Sequence, residues 1–87
     1  PNFDLTGKVC FITGTTSGLG RQFALCLAEA GAKVVITGRR RERLDALARE
    51  INDSGGYAYP IAFDVTDLPA GAAAIAEAEE KVGPIWC

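Results

Sequence analysis

Neither a surplus of positive charge nor a long apolar run marks this sequence. Nine lysines and arginines against eleven aspartates and glutamates leave a net charge of −2, which argues against general nucleic-acid binding, because that needs a basic surface. No apolar stretch reaches the length of a membrane span, and nothing at the N-terminus reads as a signal peptide. Cysteine is too sparse to form a framework. Cys10, Cys26 and Cys87 are odd in number, far apart and without a C-x-x-C spacing, so neither a disulfide scaffold nor a zinc site is suggested, and no metal ligands are assigned. Cys10 falls in a strand-like run and Cys26 in a helical one. Both are expected as small buried hydrophobes in a reducing, cytoplasmic setting.

What is present is an ordinary globular composition, 48% hydrophobic and 23% charged over 87 residues, sufficient for one small domain spanning residues 1–87. The stretch Lys8 to Gly20 organises it. An apolar run of β character (Val9 to Ile12) enters a turn holding Gly14, Gly18 and Gly20, and a helix-forming run leaves that turn. A strand, a glycine turn and a helix start together make a phosphate grip. The glycines let the main chain approach an anion, and the first helical turn aims unpaired N–H groups and its positive dipole end at it. The spacing here is G-x-x-x-G-x-G, and the Gly-Lys-Ser/Thr ending of a triphosphate-cradling loop is lacking. On spacing alone, three glycines after a strand equally describe a tight connection.

The remaining chain alternates in type. Phe3 and Leu5 form an apolar anchor pair in a polar lead-in. Lys8–Thr13 is apolar without alternation, as a parallel strand covered on both faces requires. Phe23, Ala24, Leu27, Ala28 and Ala30 recur at helical spacing up to Gly31. A second strand spans Lys33–Thr37. A second helix spans about Arg41 to Asn52, with Leu44, Leu47, Ala48 and Ile51 as its stripe. A third strand, Tyr57–Phe63, contains Pro60, which belongs on a sheet edge. Thr66 or Asp67 caps a third helix to Lys81, with Ala72, Ile75 and Val82 as its expected inward face, and Ile85-Trp86-Cys87 opens a fourth strand. The order βαβαβαβ predicts an α/β fold, a Rossmann-type doubly wound parallel sheet truncated to about three βα units plus the start of strand 4, in the order 3-2-1-4. The first two helices then share one face and the third covers the other.

The string Thr13-Gly14-Thr15-Thr16-Ser17-Gly18-Leu19-Gly20 resembles the T-G-x-x-x-G-x-G turn of the short-chain dehydrogenase/reductase family. The resemblance continues through Ala28 to Ala32, Val34 to Arg39 and Asp64-Val65. It implies a nicotinamide dinucleotide as cofactor. Gly14 would permit the sharp turn, Gly18 the approach of the diphosphate, and Gly20 the packing of helix near strand. Thr15, Thr16, Ser17 and Leu19 would line the adenosine and diphosphate, while Thr13 braces the turn. Asp64 would accept from the adenine amine and Val65 pack on the ring.

Where an NAD site usually carries an acidic residue after strand 2, this sequence has Gly38 followed by Arg39 and Arg40. A guanidinium offers a 2′-phosphate a forked, charge-assisted contact, which predicts NADP over NAD. Arg41 and Arg43 add charge, although a solvated helix start explains them equally well. The family's Tyr-x-x-x-Lys pair, upstream serine and Asn-Asn-Ala-Gly segment are absent from these 87 residues. Tyr57 and Tyr59 lack the following lysine and are expected to pack on the sheet. No catalytic residue is therefore assigned, and this chain alone is expected to be inactive. The reading is an NADP-binding portion of a short-chain oxidoreductase. The alternatives are a free-standing nucleotide-binding or sensor module and a piece that retains the fold only. An open strand edge further predicts self-association.

Overall fold

The computed structural model describes residues 4–15 and 18–87. Phe3, Thr16 and Ser17, singled out above, lie outside the described residues. The elements are β1 (Val9–Ile12), α1 (Gly18–Glu29), β2 (Lys33–Gly38), α2 (Arg41–Asp53), β3 (Tyr57–Ala62) and α3 (Leu68–Lys81).

The strands form one parallel sheet in the order 3-2-1, with Val9 opposite Lys33 and Lys33 opposite Tyr57 at its start. Strand side chains alternate between two cores. Cys10, Ile12, Val34, Ile36 and Ala58 join Ala24 of α1 and Leu44, Leu47, Ala48 and Ile51 of α2 on one face. Val9, Val35 and Ile61 meet Ala74 and Ala78 of α3 on the other. The unbroken apolar strands therefore follow from cover on both sides, with two helices on one face and the third opposite. Each fully buried side chain such as Leu44 or Ile51 contributes about 1.5–3 kcal/mol.

Beyond β1, Trp86 N–H donates to the Val9 carbonyl at 2.7 Å and Phe11 N–H donates to the Cys87 carbonyl at 2.6 Å. These residues run along the outer side of β1, where the order 3-2-1-4 puts a fourth strand, without forming a strand element themselves. At the opposite edge, β3 carries Pro60. There the Asn52 side chain donates to the Ala58 carbonyl at 3.2 Å and accepts from its N–H at 3.0 Å. One amide side chain thus satisfies the outward-facing backbone groups of an edge residue. Pro60, two residues on, turns its missing N–H the same way.

Three expectations about side-chain placement are corrected. Cys26 is exposed, whereas Cys10 is buried. The inward face of α1 is set by Ala24, and a residue two positions on lies about 200° round the helix. Phe23 falls off the same face and is 60% exposed. On α3 the buried residues are Ala74 and Ala78, with Val82 packed beside them, while Ile75 is 45% exposed and Ala72 is exposed. Asp67, not Thr66, caps α3 by accepting from Ala70 N–H at 3.1 Å, with Pro69 in the first turn. This start fixes which alanines face inward, and their small side chains let the helix approach the sheet.

Candidate functional site

β1 and β2 end side by side, and their C-terminal ends build the turn that follows. Thr15 N–H donates to the Thr37 carbonyl at 3.2 Å, and the Thr15 hydroxyl donates to the same oxygen at 2.9 Å. Thr37 in turn donates its hydroxyl to the Ile12 carbonyl at 2.8 Å. Both threonines are fully buried, so each of these bonds is worth about 1 kcal/mol and leaves an unpaired buried group if removed. Among the described residues, Thr15 and Thr37 make bonds that brace the turn, the role also expected of Thr13. The Thr15 hydroxyl is turned into the protein, while Thr13 is exposed on the cleft side.

Gly14 and Gly18 have φ of +67° and +44°, the left-handed region that favours glycine. Among the described residues, a Cβ on Gly18 would meet nothing within 4 Å. Gly20 differs. Its Cβ would collide with the Gly14 carbonyl, which makes Gly20 the point where helix and turn touch. The first turn of α1 contains no acidic residue, so the positive end of its dipole is not offset locally. Leu19 in that turn is 84% exposed.

At the C-terminal ends of the strands lies an open cleft of about 630 Å³, lined by Thr13, Gly14, Gly38, Arg39, Arg40 and Val65. Ligands of open α/β sheets bind at such strand ends. Arg39 and Arg40 are exposed, and Arg40 stands at the N-cap of α2 without a side-chain cap. Arg41 pairs with Asp45 at 3.5 Å, one turn along the same helix. That pairing accounts for Arg41 as part of a solvated face. Arg43 instead lines a second cleft of about 320 Å³ with Thr15, Arg21, Ala46, Leu47 and Glu50.

Asp64 follows β3 and accepts from the Thr66 N–H at 2.9 Å and the Thr66 hydroxyl at 2.8 Å through one oxygen, Oδ1. These two bonds hold its carboxyl below the ordinary value, and the Arg39 charge lowers it further. Val65 beside it is half exposed at the cleft wall. Tyr59 packs against the α3 side of the sheet and donates its hydroxyl to Glu77 at 2.7 Å. That carboxylate raises the Tyr59 pKa, the reverse of what a tyrosine acid/base requires. Among the described residues no group of His, Cys, Asp and Glu could hold a metal ion. No helix there is long and apolar enough to cross a membrane.

The structure thus brings Gly14, Arg39, Arg40 and Val65 to one cleft, with Gly18 and Gly20 at the helix start and Asp64 within reach of the Arg39 charge. Thr16 and Ser17 lie outside the described residues. Sequence reasoning missed the Thr37 brace and the ion pair between Arg21 and Glu50. The first left one signal, a hydroxyl within an otherwise apolar strand.

A parallel sheet with a braced glycine turn opening onto its first helix defines a Rossmann-type α/β unit. Residues 8–87 match the family model described as short chain dehydrogenase. The chain is 38% identical to a short chain dehydrogenase of Pseudocercospora fijiensis, an alignment that covers 93% of this chain and 26% of that protein. It is 47% identical to the 2,5-dichloro-2,5-cyclohexadiene-1,4-diol dehydrogenase LinX of Sphingobium indicum, over 91% of this chain and 32% of LinX. Among solved structures, L-sorbose reductase of Gluconobacter frateurii, complexed with NADPH and L-sorbose, superposes with a TM-score of 0.91 at 29% identity, over 98% of this chain and 33% of that one. The chain belongs to the short-chain dehydrogenase/reductase family of oxidoreductases. It spans about a third or less of the length of these relatives.

Proposed function

We propose that this chain is the NADP-holding part of a short-chain oxidoreductase that moves hydride between the nicotinamide and a carbonyl or alcohol. The observation that carries the reading is the cleft joining the glycine turn to Arg39 and Arg40, with no carboxylate among its lining residues. The residues fit the cofactor. A helix start free of acidic side chains suits a diphosphate. In this reading Gly14, Gly18 and Gly20 admit the diphosphate to the amides of the turn, with Thr16, Ser17 and Leu19 beside it. Thr15, whose amide and hydroxyl both bond the Thr37 carbonyl, contributes by bracing the turn beside it. Arg39, with Arg40, takes the 2′-phosphate, which an aspartate there would repel. Asp64 keeps Oδ2 for the adenine amine, and Val65 lies against the ring.

The cofactor supplies the hydride chemistry; these residues bind and orient it. No Tyr-x-x-x-Lys pair occurs in the sequence, and Tyr59 is engaged with Glu77. The 87 residues are accordingly proposed to bind without reducing a carbonyl. The same two observations favour, as a second reading, a nucleotide-binding or sensor module without catalysis. A cytoplasmic setting accords with the free thiols. Among the described residues only Trp86 and Cys87 bond to the outer side of β1. We place self-association there, visible as a dimer by light scattering and contradicted by a monodisperse monomer.

Fluorescence titration with NADPH and NADH tests the cofactor assignment. NADPH should bind about ten- to a hundredfold more tightly, the worth of a charged hydrogen-bonding pair. Equal affinities, or a preference for NADH, would contradict it.

A further inference from the structure

The first turn of α1 has few side chains with which to hold itself in place. Gly18 and Gly20 have none, Leu19 is exposed, and the one fully buried residue of the helix is Ala24, beyond that turn. Yet this turn presents the amides on which diphosphate binding rests. Among the described residues, a single side-chain hydrogen bond or ion pair ties it to another element: the Arg21 guanidinium meets the Glu50 carboxylate near the end of α2. α2 is itself fixed by four buried side chains, Leu44, Leu47, Ala48 and Ile51. Its opposite end carries Arg39 and Arg40 at the cleft.

We propose that Arg21 and Glu50 are positioning residues. Their ion pair holds the start of α1 at one fixed spacing from α2, so that the amides of the turn and the arginines before α2 stand ready together for diphosphate and ribose phosphate. The inference rests on the NADP reading above. Both side chains are partly exposed, 42% for Arg21 and 47% for Glu50, which limits the effect to about fivefold in an equilibrium constant.

The pair can act in two ways, and these differ in sign. If Arg21 merely attracts the diphosphate by its charge, removing the Glu50 charge strengthens that attraction and tightens binding. If the pair positions the turn, the same substitution loosens it. The test measures affinities of the full chain and of Glu50→Gln, Arg21→Gln and Arg21→Lys for NADPH, ADP-ribose and 2′-AMP, with thermal unfolding in parallel. Positioning predicts that Glu50→Gln and Arg21→Gln weaken NADPH and ADP-ribose about two- to fivefold. It also predicts that 2′-AMP, which lacks the diphosphate, keeps its affinity and that Arg21→Lys retains most of the binding. Tighter or unchanged NADPH binding by Glu50→Gln would overturn the proposal. So would an equal loss for all three ligands accompanied by a lower Tm, the mark of a purely structural pair. A wild-type chain that binds neither NADPH nor ADP-ribose would remove the functional reading itself, and this inference with it.

Discussion

An idealised Cβ on Gly20 would stand 2.1 Å from the carbonyl oxygen of Gly14. The start of α1 and the end of the β1 turn are therefore in backbone contact, six residues apart in sequence. No side-chain rotation can relieve a substituent at Gly20, because the obstacle is main chain.

Gly20→Ala should therefore destabilise the protein by about 3 kcal/mol or more, as overpacking against backbone does. Gly14→Ala meets open space and pays only for its φ of +67°, about 1–2 kcal/mol. Urea unfolding of the two variants checks the order, which an equal or inverted pair of values would contradict.

Arg39→Asp should reverse cofactor preference. The substitution removes the guanidinium from the cleft lined by Gly38, Arg39 and Arg40 and puts a carboxylate where a 2′-phosphate would sit. NADPH affinity should fall about ten- to a hundredfold, while NADH, whose ribose hydroxyls can donate to the new carboxylate, binds at least as well as before. Parallel titrations read both.

The turn after β3 should resist acid. Thr66 holds the Asp64 carboxyl below its ordinary 3.8 through a backbone and a side-chain hydrogen bond. A depressed folded-state pKa gives a stabilisation that is complete above the unfolded value and lost as pH falls through the folded one. That contribution is therefore complete at neutral pH. The Thr66 amide NMR shift should titrate with a midpoint below 3.8, and a midpoint at or above that value would contradict the bonding described.

The thiols should separate by reactivity. Burial, followed by the neighbouring Cys87 thiol, pushes Cys10 up to about 12, so it stays protonated at pH 8. Cys26 is exposed. Since the thiolate is the nucleophile, iodoacetamide should modify Cys26 well before Cys10 in the native protein, as peptide mass mapping would show. Early labelling of Cys10 would contradict its burial.

The parts legible in the sequence were those in which backbone constraint or strong polarity contrast determines the outcome. Gly14 and Gly18 mark a turn because their φ is positive, and Val9 to Ile12 mark a doubly covered strand because no polar residue interrupts them. The stripe Leu44, Leu47, Ala48 and Ile51 is wholly buried for the same reason. In α3 the contrast vanishes, since alanine fits either face, and the two larger apolar residues, Leu68 and Ile75, proved outward. At the site, the Thr15 bond to Thr37 was not legible, because its partner lies 22 positions away. The Arg21–Glu50 pair joins residues 29 apart, so it depends on how two helices lie across one sheet, which periodicity does not encode.

In the binding mode proposed above, a dinucleotide diphosphate rests on the amides at the start of α1 with Arg39 at its ribose phosphate. A crystal soaked with NADP tests this most directly. Density is expected for the diphosphate over Gly18 to Gly20 and for the 2′-phosphate beside Arg39. A cleft left empty, or closed by neighbouring side chains, would contradict it.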